Sequence, residues 1–347
     1  MPQRIAIIKP SALGDIVHAL PVLSALRELD PTSHISWIVN RGFQDLLVGH
    51  PYLNDIIPFD RSAFRRGIVA SARYTAGLMN RLRRERFDLV IDLQGLLRTG
   101  LMTAATGAPR RIGFDNAREG SRYFYTDRIA VPDAEAIHAV DRYWRIVEFL
   151  GGSHLRKQFH VPVNPSETLV IQQELHDAPR PWIAVAAGAK WLTKRWPPEH
   201  FAAMLNLAQQ QFGGSAILVG SSDDIPLSLA VVQATRGTVR DFTGKTSLPK
   251  LAALFAQCDV MLGNDTGPLH LAAALGIPCV APYTCTKIVK HGPYNGPFAR
   301  ETAVPCAGSY LKKCPHGMIC MNELSPEKLW PAMHEVLQTW QRKPNFH

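Results

Sequence analysis

No apolar run in this chain of 347 residues approaches the roughly 18 to 20 residues that a bilayer-spanning helix needs. The N-terminal residues, apolar from Ile5 to Ile8, break at Lys9-Pro10. That is too short for a signal-peptide core, so the stretch reads as a first strand and the expected compartment is the cytoplasm. Cysteine is missing from the first half. Cys258, Cys279, Cys285, Cys306, Cys314 and Cys320 are scattered through the second, which fits reduced thiols better than a disulfide framework. Cys314, His316 and Cys320 lie close together but lack the paired C-x-x-C ligands of a zinc module. After the first strand there is no Walker loop and no G-x-G-x-x-G, which counts against a nucleotide in the N-terminal half. Nothing resembles a helix-turn-helix, a zinc finger or an RNA-binding aromatic pair, so nucleic acid is the weakest partner class.

What is present is an ordinary globular composition, 46% hydrophobic and 19% charged, in a chain long enough for two domains. The net charge of +9 is unevenly spread. Arg61, Arg65, Arg66, Arg73, Arg81, Arg83, Arg84 and Arg86 crowd one region. Such a cluster can meet anionic lipid or a phosphorylated sugar, although Arg81 to Arg86 alone read as a solvated helix face.

Strand and helix patterns alternate along the chain, implying right-handed crossovers and mostly parallel sheets. Residues 110–133, rich in charge and interrupted by Gly and Asn, read as a long loop or insertion. Residues 161–180, with Pro162, Pro165 and Pro179, read as a linker, after which the alternation restarts. The pattern is α/β with two Rossmann-like halves: an N-terminal domain over 1–165, a C-terminal domain over 180–325 and a final helix in 326–347. In that plan ligands lie at the carboxyl ends of the strands, facing the cleft between the domains.

Four loops fall at such ends. Lys9-Pro10-Ser11-Ala12-Leu13-Gly14-Asp15-Ile16-Val17-His18 places a carboxylate at a helix start, where Asp15 can act as a cap or accept a proton from an attacking hydroxyl. Asp92-Leu93-Gln94-Gly95 is by itself a strand-to-helix connection. Ala187-Gly188-Ala189-Lys190-Trp191-Leu192-Thr193-Lys194-Arg195-Trp196-Pro197 brings three cations after a buried strand, suited to a diphosphate leaving group. Gly263-Asn264-Asp265-Thr266-Gly267-Pro268-Leu269-His270 turns a strand into a helix whose free N–H groups can hold a phosphate, with Asp265 or Thr266 as the expected cap and Gly276 as the stop.

These four motifs, in this order over nearly the whole chain, resemble those of the family 9 glycosyltransferases, the lipopolysaccharide heptosyltransferases with the GT-B fold. Ser36-Trp37-Ile38-Val39, Ala117-Arg118-Glu119 and His138-Ala139-Val140-Asp141-Arg142 are similar to the heptosyltransferase I branch, which adds the first heptose to Kdo of the inner core. The resemblance implies an ADP-heptose donor, a Kdo-bearing lipid A acceptor at the cytoplasmic face of the inner membrane, and inversion without a metal or other cofactor. It makes Asp15 the general base. Lys190, Lys194, Asp223, Thr246, Asp265, Thr266, Gly267 and His270 would bind the donor. Ser11, Gly14, His18, Arg61, Arg65, Arg66, Gln94, Arg118 and Arg142 would bind the acceptor. In this fold the final helix is expected to pack back on the N-terminal domain. The chain departs from close relatives at Ala189-Lys190, where hydroxyl residues are usual, and at Asp223-Asp224, where many carry Glu. It has no D-x-D pair, consistent with metal-free transfer. A different donor or acceptor on the same fold, a second heptose site or a protein acceptor among them, is the nearest rival; a non-catalytic sugar-nucleotide-binding homologue and a nucleotide-sugar epimerase are the others.

Overall fold

A computed structural model of the chain describes residues 3–65, 67–134 and 136–342. It divides into two units, Met1–Pro162 and Val163–His347.

In the first unit the strands are β1 (Arg4–Ile8), β2 (His34–Asn40), β3 (Asp55–Phe59), β4 (Leu89–Asp92), β5 (Arg110–Phe114) and β6 (Asp127–Ile129). The helices are α1 (Leu13–Leu29), α2 (Ile68–Arg84), α3 (Leu97–Thr106) and α4 (Ala139–Phe149). Every strand pairing is parallel and the sheet order is β3-β2-β1-β4-β5-β6, the Rossmann arrangement. Parallel strands covered on both faces must be apolar throughout, and Ile5, Ala6, Ile7 and Ile8 are all buried. The order reverses between β1 and β4, so the chain diverges there and leaves a crevice at the strand ends.

Residues 110–133 are not an insertion. They contain β5 and β6, with Ile112, Phe114 and Ile129 buried. Charged side chains on short strands hide the apolar pattern, and Gly113 is required by packing rather than by a turn. A Cβ on Gly113 would meet the Tyr125 ring at 2.3 Å.

The second unit repeats the plan. After α5 (Pro165–Glu174) come β7 (Trp182–Ala186), α6 (Pro198–Phe212), β8 (Ser215–Leu218), α7 (Ile225–Ala234), β9 (Thr238–Asp241) and α8 (Leu248–Phe255). They are followed by β10 (Val260–Gly263), α9 (Gly267–Ala274), β11 (Cys279–Tyr283), α10 (Ile288–His291), β12 (Ala299–Glu301), α11 (Ile319–Glu323) and α12 (Pro326–Arg342). The sheet order β12-β11-β10-β7-β8-β9 is again parallel and reverses between β7 and β10. The expected linker over 161–180 holds a helix, because Asn164 accepts the N–H of Ser166 and Pro165 is preset for the first turn.

The last helix places Leu329, Ala332, Met333, Val336 and Leu337 in the core of the second unit, beside Phe201, Met204 and Leu205 of α6. Its i, i+3, i+4 stripe is therefore buried in that core.

Candidate active site

Both switch points carry the loops singled out in the sequence. In the first unit, β1 leads into Lys9 to Asp15 and β4 into Asp92 to Gly95. Asp15 stands three residues past the helix cap, and its carboxylate accepts the N–H of Ala12 at 3.0 Å. The capping role is thus real, yet the side chain stays 44% exposed and can receive a proton. Lys9 lies beneath it, its Nζ 3.8 Å from Asp15 Oδ1, 3.4 Å from the Leu93 carbonyl and 5.1 Å from the Tyr143 ring centre. Burial works against the Lys9 ammonium, but Asp15, Tyr143 and Asp92 outweigh it and raise its pKa.

Asp92 is fully buried and stiffens the neighbouring loop. It accepts the N–H groups of Gln94 (2.9 Å) and Gly95 (3.1 Å) and the hydroxyl of Tyr125 (2.8 Å). Burial raises its carboxyl above the usual range in spite of these bonds. Gly95 adopts φ +67°, a region glycine enters without penalty, and its carbonyl accepts the N–H of Arg118 at 2.9 Å. Arg142 lies over Phe114 and donates to Asn116 at 2.9 Å. Oε1 of Gln94 and Nε of Arg142 are buried without a hydrogen-bond partner in the structure. The His18 and His138 rings meet edge-on at 5.2 Å. Ser11 and Gly14 border Asp15 in sequence. Arg118 is exposed, as are Arg61 and Arg65 in a short 3-10 turn before α2. Arg66 lies outside the described residues.

In the second unit Asp265 is the hub. Its carboxylate takes Lys194 Nζ at 2.5 Å, Thr286 Oγ1 at 2.7 Å, His270 Nε2 at 3.2 Å and the Tyr283 hydroxyl at 3.5 Å. Burial alone would raise this carboxyl, but His270 and Lys194 hold it well below the usual carboxylate range. Asp265 is therefore a charged anchor for Lys194 and His270 rather than a helix cap. Thr266 occupies the cap position without a side-chain cap bond. The first backbone bonds of α9 run from Leu269 and His270 to the Thr266 carbonyl, so the N–H groups of Thr266 and Gly267 stand ahead of the ladder. Gly276, at φ +81°, ends the helix as expected.

Asn264 ties the loops after β7 and β10 together. Its amide donates to the Ala187 carbonyl at 2.8 Å and accepts the N–H of Trp196 at 3.1 Å. Trp196 is buried, with its indole N–H on the Leu324 carbonyl at 2.6 Å. The Lys194-Arg195-Trp196-Pro197 motif is thus a cation on a core-anchored tether. Lys194 Nζ also lies 5.1 Å from the Trp191 ring centre. Lys190 is exposed. Asp223 is exposed too, while its neighbour Asp224 lies against the loop: a Cβ on Gly188 would fall 2.1 Å from Asp224 Oδ1. Thr246 is half-buried after β9. Sequence reasoning gave no role to Lys9, Tyr283 or Thr286, and of the Asp223-Asp224 pair it singled out Asp223. The polar run Tyr283-Thr284-Cys285-Thr286 at the end of a buried strand was the available signal for Tyr283 and Thr286.

The profile of glycosyltransferase family 9 (heptosyltransferase) matches residues 75–316. The chain belongs to that family. It is a glycosyltransferase with the GT-B fold. It is 26% identical over 300 residues to the lipopolysaccharide core heptosyltransferase OpsX of Haemophilus influenzae, covering 85% of this chain and 82% of that one. It is 26% identical over 363 residues to the lipopolysaccharide heptosyltransferase 1 of Pseudomonas aeruginosa, covering 96% and 98%. Among solved structures, the Escherichia coli heptosyltransferase WaaC with ADP-2-deoxy-2-fluoro heptose superimposes with a TM-score of 0.72 at 23% identity, over 96% of this chain and 99% of that one.

Proposed function

We propose that the enzyme transfers L-glycero-D-manno-heptose from its ADP derivative to a Kdo residue of a lipid A acceptor, with inversion and without a catalytic metal. The observation that carries this reading is the Asp265 hub. A lysine, a histidine and two unladdered N–H groups converge at one switch point, where a diphosphate's negative charge would be met by preset donors. Lys194, Lys190, Thr266, Gly267 and His270 bind the ADP group, with Asp265 orienting them and Asp223 and Thr246 near the nucleoside. Donor chemistry is supported by the ADP-heptose analogue in the WaaC structure.

Asp15 supplies the base. The acceptor hydroxyl attacks the anomeric carbon in line, its proton passes to the Asp15 carboxylate, and the bond to the ADP oxygen breaks as Lys194 neutralises the growing charge. Lys9 holds its positive charge 3.8 Å from the Asp15 carboxylate. Ser11, Gly14, His18, Gln94, Arg118 and Arg142, with Arg61, Arg65 and Arg66, form the acceptor side. The unpaired Gln94 Oε1 and Arg142 Nε are suited to sugar hydroxyls and carboxylates. No helix among the described residues is long and apolar enough to cross a membrane. The acceptor's lipid is met instead from the cytoplasmic surface, where Arg61, Arg65 and Arg73 and the exposed Ile68 and Val69 present charge and apolar side chains together.

The test is mass spectrometry of products from a panel of sugar nucleotides with Kdo-lipid A. Heptose addition from the ADP sugar, with an inverted anomeric centre by NMR and a rate indifferent to added Mg2+, supports the reading. Transfer only to an already heptosylated acceptor would move the enzyme to the second heptose, and isomerised donor without acceptor would make it an epimerase. Sedimentation with anionic liposomes at low salt tests the surface contact; no binding would remove it.

A further inference from the structure

Two ammoniums in the second unit share one indole ring. Lys194 Nζ lies 5.1 Å from the centre of Trp191 and Lys312 Nζ 5.4 Å, so they stand at most about one Debye length apart at about 0.1 M salt. Either cation alone gains from an aromatic face. Two around one ring also repel each other, and only one of them is answered by a carboxylate. Asp265 takes Lys194 at 2.5 Å, whereas Lys312 is exposed and has no carboxylate in ion-pair reach among the described residues.

The backbone fixes this meeting. Residues 302–318 carry no helix or strand, yet they are pinned along the end of β11. The N–H of Gly308 donates to the Thr284 carbonyl at 3.3 Å and that of Tyr310 to the Cys285 carbonyl at 2.8 Å. Gly308, at φ +67°, leaves room for Lys287, whose Cγ a Cβ there would meet at 2.6 Å. Thr193 then donates to the Leu311 carbonyl at 2.7 Å and accepts from Thr284 at 2.5 Å. Lys194 and Lys312 are the next residues on the two segments so joined.

We propose that Lys312 is a second side-chain contact to the diphosphate of the nucleotide-sugar donor, sharing the Trp191 ring with Lys194. This rests on the donor reading given above and adds to it a residue from outside the four loops. A diphosphate ester carries negative charge on each phosphoryl group, so two cations match it where one does not. The loop that holds Lys194 has little else to offer. Ala189 has no side-chain donor, and Arg195 gives its Nε to the Ala189 carbonyl at 2.6 Å.

An anion between the two lysines turns their repulsion into shared attraction. The gain grows as the bond to the sugar breaks and charge builds on the leaving diphosphate. A nucleoside monophosphate presents a single phosphoryl group, which Lys194 and the N–H groups at the start of α9 can meet alone. Lys312 should therefore set the preference for diphosphate over monophosphate.

The experiment is calorimetry of ADP, UDP and AMP on the full chain. Lys312→Ala should weaken ADP about 10-fold, the lower end for a hydrogen bond to a charged group, and AMP by less than about 3-fold. Lys312→Arg, which keeps the charge, should recover most of the loss. Lys313→Ala, at the exposed neighbour, should bind ADP as the wild type does. Added salt should narrow the gap between wild type and Lys312→Ala. UDP bound in place of ADP, with the same loss on substitution, would change the nucleoside and keep Lys312. Unchanged ADP affinity in Lys312→Ala, or an equal loss for ADP and AMP, would overturn the role of Lys312 and leave the donor reading standing. A wild-type chain that binds neither diphosphate would overturn both.

Discussion

In the proposed reaction Asp15 and Lys194 divide the chemistry, and each is already engaged by a neighbour that sets what its loss will do. Replacing Asp15 by Ala removes both the proposed base and the acceptor for the Ala12 N–H. Turnover should fall by about 10²-fold or more while calorimetry shows ADP binding unchanged. A loss within a few-fold would leave Asp15 as a cap alone. Lys194→Ala should weaken ADP by about 10- to 100-fold, the range for a hydrogen bond to a charged group. It also leaves Asp265 buried with one cation fewer, so its melting temperature should drop as well. The depressed Asp265 carboxyl gives that network a definite pH sense. Its stabilisation is complete above the unfolded value near about 3.9 and is lost as pH falls further.

Individual elements carry two further expectations. Gly188 lies so close to Asp224 that a methyl group cannot fit without displacing a carboxylate bonded to the Ser221 N–H and hydroxyl. Gly188→Ala should cost about 1–3 kcal/mol in chemical denaturation, as overpacking does. In the first unit, His50 donates from Nε2 to the His160 carbonyl at 3.0 Å and accepts the Tyr52 N–H on Nδ1 at 3.2 Å, which requires the neutral ring. Burial lowers its pKa to about 4. The unfolded chain then takes up the proton first, at about 6.5, so this contribution is whole above that pH and fades as pH falls toward the folded value. Thermal melts between pH 7 and 4.5 should show the decline, and His50→Asn should flatten it.

At this scale the strands and helices with plain apolar runs were legible: β1, β7, β10 and α6 needed only burial and a period. What escaped were elements whose form is decided by distant residues. β5 and β6 hide behind arginines and a glycine that exists for Tyr125. Of the two expected caps, Asp265 gave way to Thr266 because Lys194, Tyr283 and Thr286, remote in sequence, and the nearer His270 engage its carboxylate. The choice between Asp223 and Asp224 could not be made from adjacent identical residues; only the closeness of Gly188 separates them.

The whole molecule consists of two units built on one plan, and residue chemistry differs between them where the plan does not. Asp15 at the first switch point is half-exposed; Asp265 at the second is buried and counter-charged. This asymmetry was visible as motifs, but not as geometry, because burial depends on the strands that flank each loop. The final helix supplies a last expectation. A chain ended after Leu324 lacks the Leu329, Met333 and Leu337 side chains that fill the second core. It should yield a first unit that resists limited proteolysis and a second that is digested.

The placement of α12 also bears on how the protein is made. The first unit is complete once residue 162 has been synthesised, and it can fold while translation continues. The second cannot close its core until Leu337 has left the ribosome tunnel. The second unit therefore spends most of its synthesis with apolar strands exposed, and it is the one for which chaperones should matter.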